Sequence, residues 1–326
     1  MTRNVNYIQA INEAIAEEME RDPSTFLLGE DVVMSAFGTT RGLDEKFGLE
    51  RIRNTPIAEA SIVGLALGAA IAGSRPIAEL EFASLVYLAM DQIVNQAAKT
   101  RYMSGGQVNA PLTIRASVAM GFSAGAQHSD TPHALFVHSP GIKVVLPSGA
   151  RDAKGLLKSS IRDDDPVIFF EHMGLAGTSQ DIPDDEVIPL GVANVVREGN
   201  DATIIAMGPT VGLSVNVAER LAERGVDVQV IDPRTLVPMD WPAIFQAASK
   251  TGRVVVVDDA SPLCSVASEI AASIGEHVYG DLHAPVKRVT REGTPVPFSP
   301  GMEQFVMVNE HKIESALSAV LDLQEA

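Results

Sequence analysis

The stretch "TPIAEASIVGLALGAAIAGSRPIAELEF", Thr55 to Phe82, decides the fold class. After Glu59 nothing is charged until Arg75, and Gly64, Gly68 and Gly73 alternate with alanines. Such a run reads as a largely buried helix, and "RPIAELEF" directly after it as a strand. Upstream, Ile8, Ile11, Ile15 and Met19 form a helical stripe ending before Pro23. "TFLLGED" then reads as a short buried strand that delivers Glu30 and Asp31 at its C-terminal end. Downstream, "LVYLAMDQIVNQAAKTRYMSGG" reads as one long amphipathic helix and "ARDAKGLLKSSIRD" as another. "APLTIRASV", "IKVVLPS" and "PVIFFEH" read as strands. Strands alternating with helices imply a parallel α/β sheet with helices on both faces.

"GTSQDIPDDEVIPLG", Gly177 to Gly191, is polar, acidic and broken by prolines, and reads as an interdomain connection. Beyond it the alternation restarts with strands "ATIIAMG", "VDVQVID", "RVVVVDD" and "VKRVTR" and intervening helices, closing on the helix "NEHKIESALSAVLDLQ". The expectation is two three-layer α/β/α domains, residues 1–180 and 191–326.

The 326 residues are 46% hydrophobic and 21% charged, enough to bury a sizeable core. A net charge of −17 with scattered Lys and Arg argues against a nucleic-acid surface. Cys264, the single cysteine, leaves no intrachain disulfide and no cysteine-based metal cluster. Charges run through the N-terminal apolar pattern, and the apolar run ending at Gly73 is too short to span a bilayer. A cytoplasmic chain without membrane partners is expected.

Glu59 at the mouth of an apolar helix answers the helix dipole, worth about 0.3–1 kcal/mol, or handles a proton in a dry wall. Interior glycines cost about 1 kcal/mol each relative to alanine, so close packing or the approach of another group must offset them. In "GFSAGAQHSDTPHALFVHSPG" the histidines 128, 133 and 138 lack metalloprotease spacing, and His128 in a loop after a strand suits proton transfer. "GFSAG" formally fits a nucleophile elbow at Ser123, but a polar loop rather than a helix follows it. Asp163, Asp164 and Asp165 end a helix as either a solvated cap or part of a hard-cation cage. No GxGxxG or GxxxxGK[ST] loop occurs.

At "TPIAEASIVGLALGAAIAG", "DQIVNQAAKTRYMSGG", "AQHSDTPHALFVHSPGIKVVLPS", "VIDPRTLVPMD" and "APVKRVTREGTPVPFSP" the chain resembles a known family. It is similar to the β subunits of the thiamine diphosphate-dependent first component of 2-oxo acid dehydrogenase complexes. These serve pyruvate, branched-chain 2-oxo acid and acetoin dehydrogenases. The resemblance covers nearly the whole chain and implies a transketolase-like pyrimidine-binding domain followed by a transketolase C-terminal-like domain. It implies that Glu59 binds N1′ of the cofactor's aminopyrimidine, favouring the imino tautomer that generates the reactive ylid. It assigns His128 to substrate proton transfer or acyl hand-off, and makes Glu30 an acid near a polar path between paired active sites. Potassium in such relatives is held at positions matching Leu112, Ser160, Ile161, Asp163 and Asp165.

The family's GDG…N motif for the diphosphate and Mg2+ lies on the α subunit, and this sequence has no GDG. An α partner in an α2β2 heterotetramer is therefore implied, with acyl transfer to a lipoyl acyltransferase core. Departures stand at Leu85, where relatives usually carry an aromatic residue, and at Glu81, where methionine or glutamine is common; Phe82 supplies aromatic surface. Acetoin cleavage, a 2-oxo acid substrate, a transketolase-like half-enzyme and a non-catalytic scaffold all stay open.

Overall fold

The computed structural model describes residues 2–322. Among them, six parallel strands form most of a seven-stranded sheet in the order Thr235–Val237, Lys143–Val145, Val167–His172, Thr113–Val118, Arg75–Phe82, Thr25–Gly29, Ile52–Asn54. A second sheet runs Lys287–Thr290, Val254–Asp258, Ala202–Ala206, Val228–Asp232, Asn194–Arg197, parallel except for the last strand. Runs such as "VIFFEH" and "VVVVD" are buried at every position, as a parallel sheet covered on both faces requires.

Three features depart from the sequence expectation. The interdomain connection contains a strand, Ser179–Pro183, paired antiparallel with Thr2–Asn6. Its alternating polar residues form an exposed two-stranded ribbon, a pattern that periodicity assigns equally to a loop. The strand Thr235–Val237, downstream of that connection, pairs antiparallel with Lys143–Val145 and extends the first sheet. The long helix changes winding, from a 3-10 turn over Ala83–Ala89 through a wide π segment over Asp91–Ala97 to an α turn over Ala98–Met103. Apolar spacings of three to four residues do not distinguish these windings. The final helix spans Glu310–Leu321; residues 323–324 of the expected helix lie outside the described residues.

Helix Glu59–Ile71 buries Ile62, Val63, Ala66, Leu67 and Ala70. Each large aliphatic side chain removed from water contributes about 1.5–3 kcal/mol. Its outer face, with Ser61, Leu65, Gly68 and Ile71, is exposed, and a methyl group at Gly68 would meet nothing within 4 Å. Packing within this chain thus leaves that glycine unexplained. Gly29 is different: a Cβ there would lie 2.5 Å from the Glu79 carbonyl oxygen, so only glycine lets the adjacent strands close. One continuous core joins the two sheets, from Leu28 and Phe170 through Leu146 to Ile205 and Ile270. No helix among the described residues is long and apolar enough to cross a membrane.

Candidate active site

Side chains singled out in the sequence gather at the C-terminal ends of the parallel strands, where open α/β sheets place their ligands. Glu59 opens its helix there and is buried to 6% exposure. The Glu30 carboxyl directly follows strand Thr25–Gly29 and is pushed above its ordinary value by burial and by the charges of Asp31 and Glu59. One oxygen from each of Glu30, Asp31 and Glu81 falls within 4.8 Å of the others. Asp31 and Glu81 adopt left-handed backbone, φ 49° and 51°, a strain of order 1–3 kcal/mol each. At Glu81 the strain coincides with a bulge against strand Thr113–Val118 that turns the following Phe82.

Burial, then Glu30 and Asp31, push the Glu81 carboxyl from 4.5 up to about 7. Between those pH values the folded chain keeps a proton that the unfolded chain has lost, so this group's contribution to stability falls as pH rises across the window. Glu81→Gln is therefore expected to stabilise the protein at pH 8, on the order of 1 kcal/mol after allowance for solvent screening, and hardly at pH 4. Thermal melts at the two pH values check this.

The Phe82 ring stacks on the exposed His128 imidazole, centroids 4.1 Å apart and planes 8° from parallel, and Phe37 meets Phe82 edge-on at 5.2 Å. Leu85 lies half-buried in the 3-10 turn that follows. His128 belongs to the irregular segment after strand Thr113–Val118, where the backbone Ala119 N–H donates to the His128 carbonyl at 3.1 Å. No helix directly follows Ser123, so the nucleophile elbow is not formed. His133 is instead buried and hydrogen-bonded to Asp258 at 3.1 Å, a pairing of helix His133–Val137 with strand Val254–Asp258.

A buried charge cluster lies behind the edge. The fully buried Arg115 guanidinium reaches Glu79 at 2.5 Å and Glu171 at 2.6 Å. Glu79 lines the same small cavity as Glu30, Asp31 and Glu81, and burial pushes its carboxyl up to about 8 despite Arg115. Sequence reasoning missed this triad. Charges inside the strands "RPIAELEF", "LTIRASV" and "VIFFEH", among them Glu79, Arg115 and Glu171, were the available signal, because a charge within a fully buried strand needs a partner on its neighbour.

The positions that the resemblance assigned to potassium sit at the opposite, N-terminal ends of the strands, where several of their oxygens already accept hydrogen bonds. Lys143 Nζ holds both Asp163 carboxylate oxygens at 2.6–2.7 Å, and Arg101 holds Asp165 at 2.6 Å. Arg75 Nη1 donates to the carbonyls of Ile161 and Asp163 at 3.2 and 2.9 Å. The Leu112 carbonyl accepts from Val167 N–H at 2.9 Å, and the Ser160 carbonyl from Asp163 N–H at 3.3 Å. Three cationic side chains thus balance the three carboxylates of this corner.

Comparison with known proteins bears on the fold and the family. Residues 3–178 match the family described as the transketolase pyrimidine-binding domain, and residues 191–313 the transketolase C-terminal domain. A solved structure described as a split-gene transketolase, an inactive beta4 tetramer, superposes with a TM-score of 0.82 at 24% identity. It covers 98% of this chain and 99% of that one, which shows the fold. Fold and matches together define a chain built of a transketolase pyrimidine-binding domain followed by a transketolase C-terminal domain.

Among curated relatives, the 2-oxoisovalerate dehydrogenase subunit beta of Bacillus subtilis is 46% identical, over 96% of this chain and 97% of its own length. The acetoin:2,6-dichlorophenolindophenol oxidoreductase subunit beta of Cupriavidus necator is 45% identical, covering 97% of each chain. The pyruvate dehydrogenase E1 component subunit beta of Rhizobium meliloti is 40% identical, over 96% of this chain and 69% of its own length. The chain belongs to the family of β subunits of the first components of 2-oxo acid and acetoin dehydrogenases. These are oxidoreductase subunits that work with an α subunit.

Proposed function

We propose that this chain supplies the pyrimidine-binding half of a thiamine diphosphate site in a 2-oxo acid dehydrogenase first component. The carrying observation is the buried Glu59 carboxyl at the sheet's C-terminal edge, beside Glu30. When bound, the cofactor supplies an electron sink for cleaving the bond next to a ketone carbonyl. Glu59 shares a proton with the aminopyrimidine N1′, and its buried position keeps that proton from exchanging freely with water. Glu30, Glu81, Phe82 and Leu85 wall the ring side. The exposed His128 face, held against Phe82, presents an imidazole to the reacting group for proton transfer or acyl hand-off. Residues 1–180 form the ring-binding half and residues 191–326 the second.

The chain lacks a GDG motif, so an α subunit holds the diphosphate and Mg2+, in an α2β2 assembly. The open outer face of helix Glu59–Ile71, where Gly68 has nothing against it, leaves room for a partner to approach. The acyl fragment passes to the lipoyl arm of an acyltransferase core.

The substrate is a small 2-oxo acid. Acetoin is the second reading, supported by the 45% identity to the Cupriavidus acetoin subunit. Co-expression with the α chain and assay against pyruvate, 2-oxoisovalerate and acetoin tests both. Lipoyl reduction with a 2-oxo acid is expected; turnover of acetoin alone selects the second reading, and ketol transfer without lipoyl reduction rejects both.

A further inference from the structure

We propose that Glu303, a residue of the second half of the chain, is the positioning residue that holds His128 in place. This rests on the reading of His128 as the active-site histidine. The segment 119–130 carries left-handed backbone at Gly121, Ser123 and Gly125, φ 93°, 54° and 77°. Such a path forms no continuous ladder, so its N–H groups need partners from elsewhere. Glu303 provides them. One carboxylate oxygen accepts the Gly121 N–H at 2.8 Å; the other accepts the Ser123 N–H at 2.8 Å and faces the Ser123 hydroxyl at 3.3 Å.

Glu303 lies in the first turn of helix Pro300–Val306 and is 2% exposed. A carboxylate this buried is stabilised by the N–H groups it accepts, and charge-assisted bonds of this kind are about twice as strong as neutral ones. The far end of the segment is also tied to the second half. Asp130 accepts from Arg291 Nη2 at 3.5 Å, Arg291 is buried, and the Tyr87 hydroxyl donates to the same carboxylate. Between these two ties the Ala119 N–H to His128 carbonyl bond pinches the loop shut, and the imidazole meets Phe82. Moving Gly121 and Ser123 therefore moves the pinch and the ring with it. Glu303 and Ser123 are about 180 positions apart in the chain, so the C-terminal half here sets the geometry of a group on the N-terminal half.

The test follows the His128 ring protons by NMR in the full chain, assigned among the seven histidines by His128→Gln. Stacking on Phe82 shifts them upfield. Glu303→Ala is expected to return them toward the free-histidine position, and Glu303→Gln, which keeps one acceptor oxygen, to an intermediate one. An unmoved resonance in folded Glu303→Ala overturns the proposal; if alanine prevents folding, an unmoved resonance in Glu303→Gln overturns it. In the reconstituted α/β pair, Glu303→Ala is expected to lower kcat by up to about 100-fold with KM nearly unchanged. Adding it to His128→Gln should cause no further loss; an equal further loss shows that Glu303 does not act through His128 and overturns the proposal. Full activity of His128→Gln would sink the reading of His128 itself, while the resonance still decides whether Glu303 positions the ring.

Discussion

Glu59→Gln is expected to lower kcat of the reconstituted α/β pair by about 10²- to 10⁴-fold, equivalent to about 3–5 kcal/mol of barrier. The amide fills the same space and still hydrogen-bonds, but it cannot share a titrating proton with N1′. Folding should hardly notice. Glu59 opens its helix, where loss of the charge costs about 0.3–1 kcal/mol of dipole interaction. The expected signature is thus a nearly unchanged melting temperature beside a collapsed kcat. A subunit that only organises α chains would keep its activity, and wild-type kcat in Glu59→Gln would place the cofactor ring elsewhere.

The second large effect concerns stability. Arg115→Met leaves Glu171 as a buried carboxylate without its cation, since Arg115 lies 2.6 Å from it and fully inside the sheet. Removing one partner of a buried pair costs about 3–5 kcal/mol. Glu79→Gln should instead stabilise the protein at pH 7, on the order of 1 kcal/mol or more, although Glu79 touches the same guanidinium. Its carboxyl, pushed up to about 8 by burial, is mostly protonated at that pH in the folded chain but ionised in the unfolded one, and glutamine removes the cost of taking up that proton. The sign of the pH dependence follows: Glu79 lowers stability as pH rises from 4.5 toward 8, and the glutamine variant should lose that slope. Denaturant midpoints at pH 5 and pH 8 measure it. Equal losses in the two variants at pH 7 would mean that Glu79 is charged and the triad is balanced differently.

Much of the fold was legible because burial on both faces leaves a plain mark. Apolar runs such as "VIFFEH" and "VVVVDD", separated by helical stripes, allow little besides a parallel α/β sheet. The missed strands, Ser179–Pro183 and Thr235–Val237, pair antiparallel at edges; the first leaves most of its side chains exposed and the second is only three residues long, so neither leaves a periodic pattern. The potassium set shows the converse. Backbone donors leave no side-chain signature, and nothing in the linear order predicts that Lys143 bridges Asp163 or that Arg75 reaches the carbonyl of Ile161.

The sequence by itself determined the layered α/β architecture, the isolated carboxyl at position 59 and the absence of a phosphate-binding loop, because each is a local property of composition or spacing. Only the tertiary structure decided which acids become neighbours, that Phe82 lies flat on His128, and that Glu303 grips the backbone of that histidine's loop. The physical reason is distance along the chain. Hydrogen bonds, ring contacts and shifted carboxyl pKa values depend on separations of a few ångströms, and such separations are created when strands from remote segments close into one sheet edge.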